Sequence, residues 1–189
     1  MRQLVKKTGV LIVLSILIVA TSSSVMAAEK QVYTQNNIFV AQQVSRGVLT
    51  YKASYSGWVG LRPPFFMLPA GSKVTIGRSR HGFSLTTDDG KQIIFEYRRN
   101  LPFPRDEYIA KITSNKPFKL GNYSNTDRKG IQAGKPFKGM TKKGVMAALG
   151  YPPPHKVMTL KDNLWTYWKD RYRTMIIEFS NGEVVQIRE

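Results

Sequence analysis

Between residues 83 and 97 apolar and polar positions alternate. Phe83 and Leu85 lie on one side of Asp88-Asp89-Gly90-Lys91, and Ile93, Phe95 and Tyr97 on the other. A period of two puts each set on a single sheet face, and an Asp-Gly turn between two such runs predicts a β-hairpin. Further strands are expected at Gln31 to Ala41, at Val48 to Tyr55 and at Lys73 to Ile76, the last after the turn-like Leu68-Pro69-Ala70-Gly71. Residues 28–120 therefore read as a small all-β domain, with an SH3-like barrel as its candidate form.

The pattern changes after Gly139. Thr141 is a natural N-cap, Val145 and Leu149 stand four apart, Gly150 suits a left-handed helix end, and Pro152 prevents continuation. These signals predict a short helix with one narrow apolar side. Leu164 to Trp168, Thr174 to Ser180 and Glu183 to Ile187 then read as three strands, the last two joined by a tight Asn181-Gly182 turn. Met175, Ile177 and Phe179 share the face expected to meet the helix. Trp165 and Tyr167 share one face of their strand, and Trp168 points the other way.

Charge separates these two regions. From Lys111 to Lys143 there are nine basic residues and one acid, Asp127, interleaved with Gly121, Gly130, Gly134, Pro136 and Gly139. Such a density of glycine and basic side chains predicts a linker, placed at 121–138, with two readings of its charge: a solvated connector whose lysines keep it wet, or a contact strip for an anionic surface. The expected organisation is thus a β-rich domain at 28–120, the linker, and an α+β module at 139–189.

The first 27 residues have a different character. A basic start (Arg2, Lys6, Lys7), an apolar run from Val10 to Ala20 broken only by Ser15, and a small-residue stretch ending Val25-Met26-Ala27 form the three-part pattern of a secretory signal peptide. Cleavage is expected after Ala27; an uncleaved anchor is the other reading of the same run. Removing residues 1–27 takes away three basic residues and no acid, leaving 26 Lys+Arg against 12 Asp+Glu, a charge of +14. A protein of that charge is drawn to polyanions. The export signal makes these envelope polymers or lipid head groups, with a periplasmic or outer-membrane location, and nucleic acid is not expected. The chain has no cysteine, so disulfides, thiolate metal sites, thiol nucleophiles and a lipobox acylation site are all excluded.

Gly139-Met140-Thr141, Val145, Leu149-Gly150-x-Pro152, Trp165-x-Tyr167 and Phe179-Ser-Asn-Gly-x-Val184 follow one another in an order and spacing that resemble the SmpA/OmlA (BamE-like) domain of outer-membrane assembly lipoproteins. The resemblance covers Gly130 to Glu189, about a third of the chain. It implies helical elements packed on a three-stranded antiparallel sheet, a shape shared with β-lactamase inhibitor proteins. It also implies a non-enzymatic accessory of β-barrel assembly that contacts other assembly proteins and anionic phospholipid. This chain departs from the family in lacking the lipobox cysteine and in carrying the N-terminal β domain.

Candidate chemistry is sparse. His81 and His155 are the only histidines, and a histidine metal site needs several converging ligands. No Gly-x-Ser-x-Gly elbow is present. Asp88-Asp89 and Asp106-Glu107 fall where acids serve turns or solvation rather than glycan hydrolysis. No catalytic, cofactor or metal residues are assigned. The expected function is recognition, by an outer-membrane assembly or envelope-integrity accessory. Its candidate contacts are Trp168, Arg171, Tyr172 and Arg173 around one turn, and Arg128, Lys129, Lys135, Lys138, Lys142 and Lys143 in the basic strip. The expected partners are envelope proteins, β-barrel assembly components among them, and anionic lipid. Two alternatives stand beside this reading: a peptidoglycan-binding module using the β domain, and an inhibitor-like binder of another envelope enzyme.

Overall fold

A computed structural model describes residues 30–55, 57–60, 64–80, 82–97 and 102–189. The signal segment and His81 lie outside the described residues. The chain is mixed α+β and mostly sheet, with eleven strands and three α-helices among the described residues.

The larger sheet holds β1 (Gln31–Thr34), β2 (Ile38–Ser45), β3 (Val48–Ser54), β4 (Phe65–Leu68), β5 (Lys73–Ser79), β6 (Gly82–Thr87), β7 (Gln92–Glu96) and β8 (Thr113–Ser114). Their order is β4-β2-β3-β7-β6-β5-β1-β8. The hairpin expected around Gly90 is β6–β7, with Phe83, Leu85, Ile93 and Phe95 buried. Gly90 takes a φ of 81°, and its N–H donates to the Thr87 carbonyl at 2.9 Å.

Two expectations for this half are corrected. The strand expected over Gln31 to Ala41 is broken at Gln35-Asn36-Asn37, so β1 pairs with β5 and β8 while β2 pairs with β3 and β4. The region is also not all-β, because Arg105–Ile112 forms helix α1. Asp106 and Glu107 occupy its favourable first turn, Glu107 pairs with Lys111 at 3.3 Å, and Tyr108 and Ile112 enter the core. The burial that decides this helix comes from long-range packing, which a short segment with few apolar residues does not announce.

The expected linker is likewise ordered. After a 3₁₀ turn at Leu120–Asn122 comes helix α2, Asn125–Ala133. The Ser124 side chain accepts from the Asp127 N–H at its start, and Gly134 ends it in the left-handed conformation (φ 61°, ψ 33°). Glycine here permits close approach: a Cβ on Gly130 would collide with the Met140 side chain, and one on Gly134 would lie 2.5 Å from the Met67 sulfur. Helix α3 (Lys142–Leu149) matches its expected start at Thr141, whose hydroxyl accepts from the Gly144 N–H at 2.9 Å.

The second sheet, in the order β11-β10-β9, consists of β9 (Leu164–Trp168), β10 (Thr174–Ser180) and β11 (Glu183–Arg188). Met175, Ile177 and Phe179 are buried with Trp165 and Tyr167 against Val145, Ala148 and Leu149 of α3. Two apolar clusters result, and β2 lies between them. Its alternation sends Ile38 and Val40 into the first core and Phe39 into the second.

Asn37 closes that boundary. Its backbone N–H donates to the Ala147 carbonyl (2.8 Å). Its side-chain amide donates to the carbonyls of Ile131 (2.7 Å) and Ala148 (3.0 Å) and accepts from the Ala70 N–H (2.8 Å). One buried residue in the break just before β2 thus satisfies carbonyls at the C-terminal ends of both α2 and α3.

Candidate functional site

The basic residues divide by what holds them. Arg128 and Lys129 lie on α2, Lys135 and Lys138 in the turn after it, and Lys142 and Lys143 in the first turn of α3. The packing beneath them fixes this surface. Asp127, buried at the start of α2, accepts from the Thr141 N–H (2.8 Å) and hydroxyl (3.0 Å), tying the two helix starts together. Lys129, Lys135, Lys138 and Lys143 are exposed. Among the described residues none of the six basic groups forms an ion pair with a carboxylate.

Lys142 differs from its neighbours. Its ammonium donates to the carbonyls of Lys161 (2.9 Å) and Asp162 (2.8 Å), with Leu160 and Asn163 oxygens at 3.3 Å, and lies 5.3 Å from the Phe179 ring centre. That lysine fixes the loop before β9. Lys143 lies over Tyr123 at 4.7 Å, and Arg128 bonds Asn125 on its own helix.

The aromatic and arginine group is also divided. Trp168 is half-buried, its indole N–H donating to His155 at 3.3 Å and its ring 5.0 Å from the Lys156 ammonium. Tyr172 is 82% exposed. Arg173 is committed to Asp170, which accepts from its Nε at 2.7 Å and from the Tyr172 and Arg173 N–H groups. That hydrogen-bonded guanidinium holds the Asp170 carboxyl down at about 2. Arg171 is exposed and carries no carboxylate partner among the described residues.

A cleft of about 810 Å³ between the large sheet and the C-terminal module brings Lys135 and Arg173 together. Trp58 and Phe65 also line it, with ring centres 5.7 Å apart, as does the Lys169–Glu189 ion pair (2.5 Å). Trp168 and Arg171 share an adjoining hollow with the same two aromatic residues. The segment carrying Trp58 is fastened across the modules by the Val59 N–H donating to the Trp168 carbonyl at 2.8 Å. A Cβ on Gly60 would stand 2.5 Å from the Lys169 carbonyl oxygen. Trp58, Phe65 and Lys169 are contacts that sequence reasoning missed. The one available signal was Gly57-Trp58-Val59-Gly60, an aromatic residue in a segment with no strand periodicity.

Among the described residues no three His, Cys, Asp or Glu side chains are grouped to hold a metal ion. Burial pushes the Tyr55 hydroxyl up to about 12, and raises the Tyr108 and Tyr167 hydroxyls in the same direction. These tyrosines serve the cores: Tyr167 donates to the Gly150 carbonyl at 3.0 Å, and Tyr55 and Tyr108 meet edge to face. Compared with family models, with curated proteins and with solved structures, the chain finds no match.

Proposed function

We propose that this chain is a non-enzymatic envelope accessory protein, exported by residues 1–27 and acting at the outer membrane. In this reading its BamE-like C-terminal module contacts anionic surfaces and assembly partners. The observation that carries the proposal is the set of exposed lysines, Lys129, Lys135, Lys138 and Lys143, on a surface fixed by capped helices and free of carboxylate partners among the described residues. Each such charge near an anionic membrane adds about 1 kcal/mol of attraction. The large sheet serves as the rigid base of that module, through Asn37 and Phe39.

Residues 28–189 should co-sediment with vesicles containing phosphatidylglycerol at low salt. Changing the four lysines together to glutamine should release most of the protein, and raised salt should do the same to the unaltered protein. In-cell cross-linking from Lys138 should capture an envelope protein. Absence of both vesicle binding and a cross-linked envelope partner would overturn the proposal.

The aromatic pair of exposed Trp58 and half-buried Phe65 beside Arg171 favours a second reading, binding of peptidoglycan in the cleft between modules. Purified sacculi should then retain residues 28–189 and lose the Trp58→Ala variant. Equal retention of both would sink that reading.

A further inference from the structure

The large sheet is not finished at one end. Strand β4 pairs with β2 only through Ile38 to Ala41, and β7 meets β3 only from Tyr51 onward. Beyond those points β2 and β3 continue as a two-stranded ribbon, paired Gln43 with Thr50, Val44 with Leu49, and Ser45 with Val48. Arg46 (φ 51°) and Gly47 (φ 76°) close it, the left-handed pair that a two-residue hairpin turn requires.

An isolated two-stranded ribbon is marginal in water, and polar side chains are the usual protection for its open edges. Here Val44 is 74% exposed, Val48 62% and Leu49 47%. Val44 and Leu49, directly opposite each other, share one face, while Val48 belongs to the other. Aliphatic groups on both faces of the tip suit a medium that is apolar all round. The charge around the ribbon fits the same medium. Strands β2 and β3 and the turn between them, residues 38–54, contain no Asp or Glu. Lys52, at the base, is paired with Glu96 of β7 at 3.2 Å, which leaves Arg46 as the tip's cation, with no carboxylate partner among the described residues to oppose an anionic head-group layer.

We propose that this hairpin tip, Val44 to Leu49, is a lipid-contacting element that inserts its aliphatic side chains at the head-group boundary of an anionic bilayer. Arg46 at the turn limits the depth, because its guanidinium stays with the phosphates while the flanking side chains reach the acyl boundary. The inference rests on the envelope reading above but uses a different surface from the lysine strip. It gives the protein, which has no cysteine to acylate, a second and salt-resistant hold on the membrane.

The absence of cysteine makes the test clean. Residues 28–189, which contain every described element, are labelled with a polarity-sensitive dye at Val48→Cys. A control carries the label at Asn115→Cys, just beyond β8 on the opposite edge of the sheet. With mixed phosphatidylethanolamine–phosphatidylglycerol vesicles, emission from position 48 should shift to the blue and be quenched by a head-group-level quencher. Emission from position 115 should not change. The triple variant V44S/V48S/L49S should lose about tenfold or more of the vesicle binding that survives high salt, while low-salt binding through the lysines persists. Water-like emission at position 48 on protein that co-sediments would overturn the tip inference and leave the lysine reading intact. So would a tip that cross-links to protein while remaining unresponsive to vesicles. If vesicles bind nothing, the tip inference falls, and the envelope reading then depends on the cross-linked partner alone.

Discussion

The large sheet and the C-terminal module bury similar sets of apolar side chains but stabilise their polar groups by different means. In the sheet, backbone groups are satisfied by strands far apart in sequence: β3 lies parallel to β7, and β1 pairs with both β5 and β8. In the module, side chains do much of that work locally. Ser124 and Thr141 cap the two helices, Asp127 joins their starts, and Lys142 holds the carbonyls of the loop before β9. The sheet therefore depends on long-range closure, whereas the module depends on a few polar residues, each without a substitute. Asn37 is where the two strategies meet, since the residue that leads into β2 supplies the ends of the module's helices.

The largest expected effect follows from that junction. Asn37→Ala removes a side-chain amide that serves two carbonyls and one N–H; the Ile131 carbonyl keeps the Gly134 N–H at 3.3 Å, while the Ala148 carbonyl and the Ala70 N–H lose their partner at about 1–3 kcal/mol each. Urea unfolding should show a loss of about 3 kcal/mol or more, with the module's near-ultraviolet signal lost before that of the sheet. If the variant keeps one coincident transition at the original midpoint, the two regions are not coupled through Asn37. Gly144→Ala tests the module alone: its Cβ would collide with the Asp127 carboxylate. Overpacking of this kind costs about 1–3 kcal/mol, and thermal unfolding should register it as a lowered midpoint.

Lys142 and its neighbours sharpen the comparison further. Lys142→Met should cost about 1–2 kcal/mol, through the loss of charge-assisted bonds to the Lys161 and Asp162 carbonyls. It should also speed amide exchange in the 160–163 loop, while vesicle binding changes little. Changing Lys129, Lys135 and Lys138 together should do the reverse, leaving stability within about 0.5 kcal/mol and weakening the association with anionic vesicles. A single outcome for both sets would erase the division between structural and free lysines.

How much of this was legible in the sequence follows the same division. Local signals were sufficient in the module: Thr141 and Gly150 bounded α3, although Gly150 (φ 82°, ψ −176°) is not in the expected left-handed helical conformation, Asn181-Gly182 joined β10 to β11, and the alternation of Met175, Ile177 and Phe179 identified the buried face. In the sheet only the β6–β7 hairpin was equally clear, because its partners are adjacent in sequence. The parallel meeting of β3 with β7 has no local signature, and neither does the break at Gln35 to Asn37. Helix α2 carried readable signals, Ser124-x-x-Asp127 and Gly134, but Gly130 and Gly134 suggested flexibility where they in fact permit contact with Met140 and Met67. At the candidate site, charge density marked the strip but could not separate Lys142 from Lys143, because that difference depends on where the 160–163 carbonyls fold back. Trp58 and Phe65 were missed because the cleft exists only once both regions are assembled.

The smallest expected effect concerns the turn between β9 and β10. Asp170 is half-buried at the turn, and its carboxyl is held at about 2, first by the Arg173 side chain and then by backbone N–H groups of Tyr172 and Arg173. A carboxyl depressed in the folded state favours folding at pH values above its ordinary 3.8, and that contribution fades as the pH falls through about 2. Arg173→Ala should return the Asp170 titration, followed by its side-chain NMR signal, toward 3.8. Stability at neutral pH should change only by the small amount a surface ion pair contributes, because solvent and salt reach this pair and screen it. Emptied of that guanidinium, the cleft shared with Lys135 loses a charge already neutralised by Asp170. Vesicle association should therefore be unaltered by Arg173→Ala and reduced by Arg171→Ala, whose cation has no such partner among the described residues. Equal loss from the two substitutions would mean that the Asp170 pair opens on binding and that the turn belongs with the free charges.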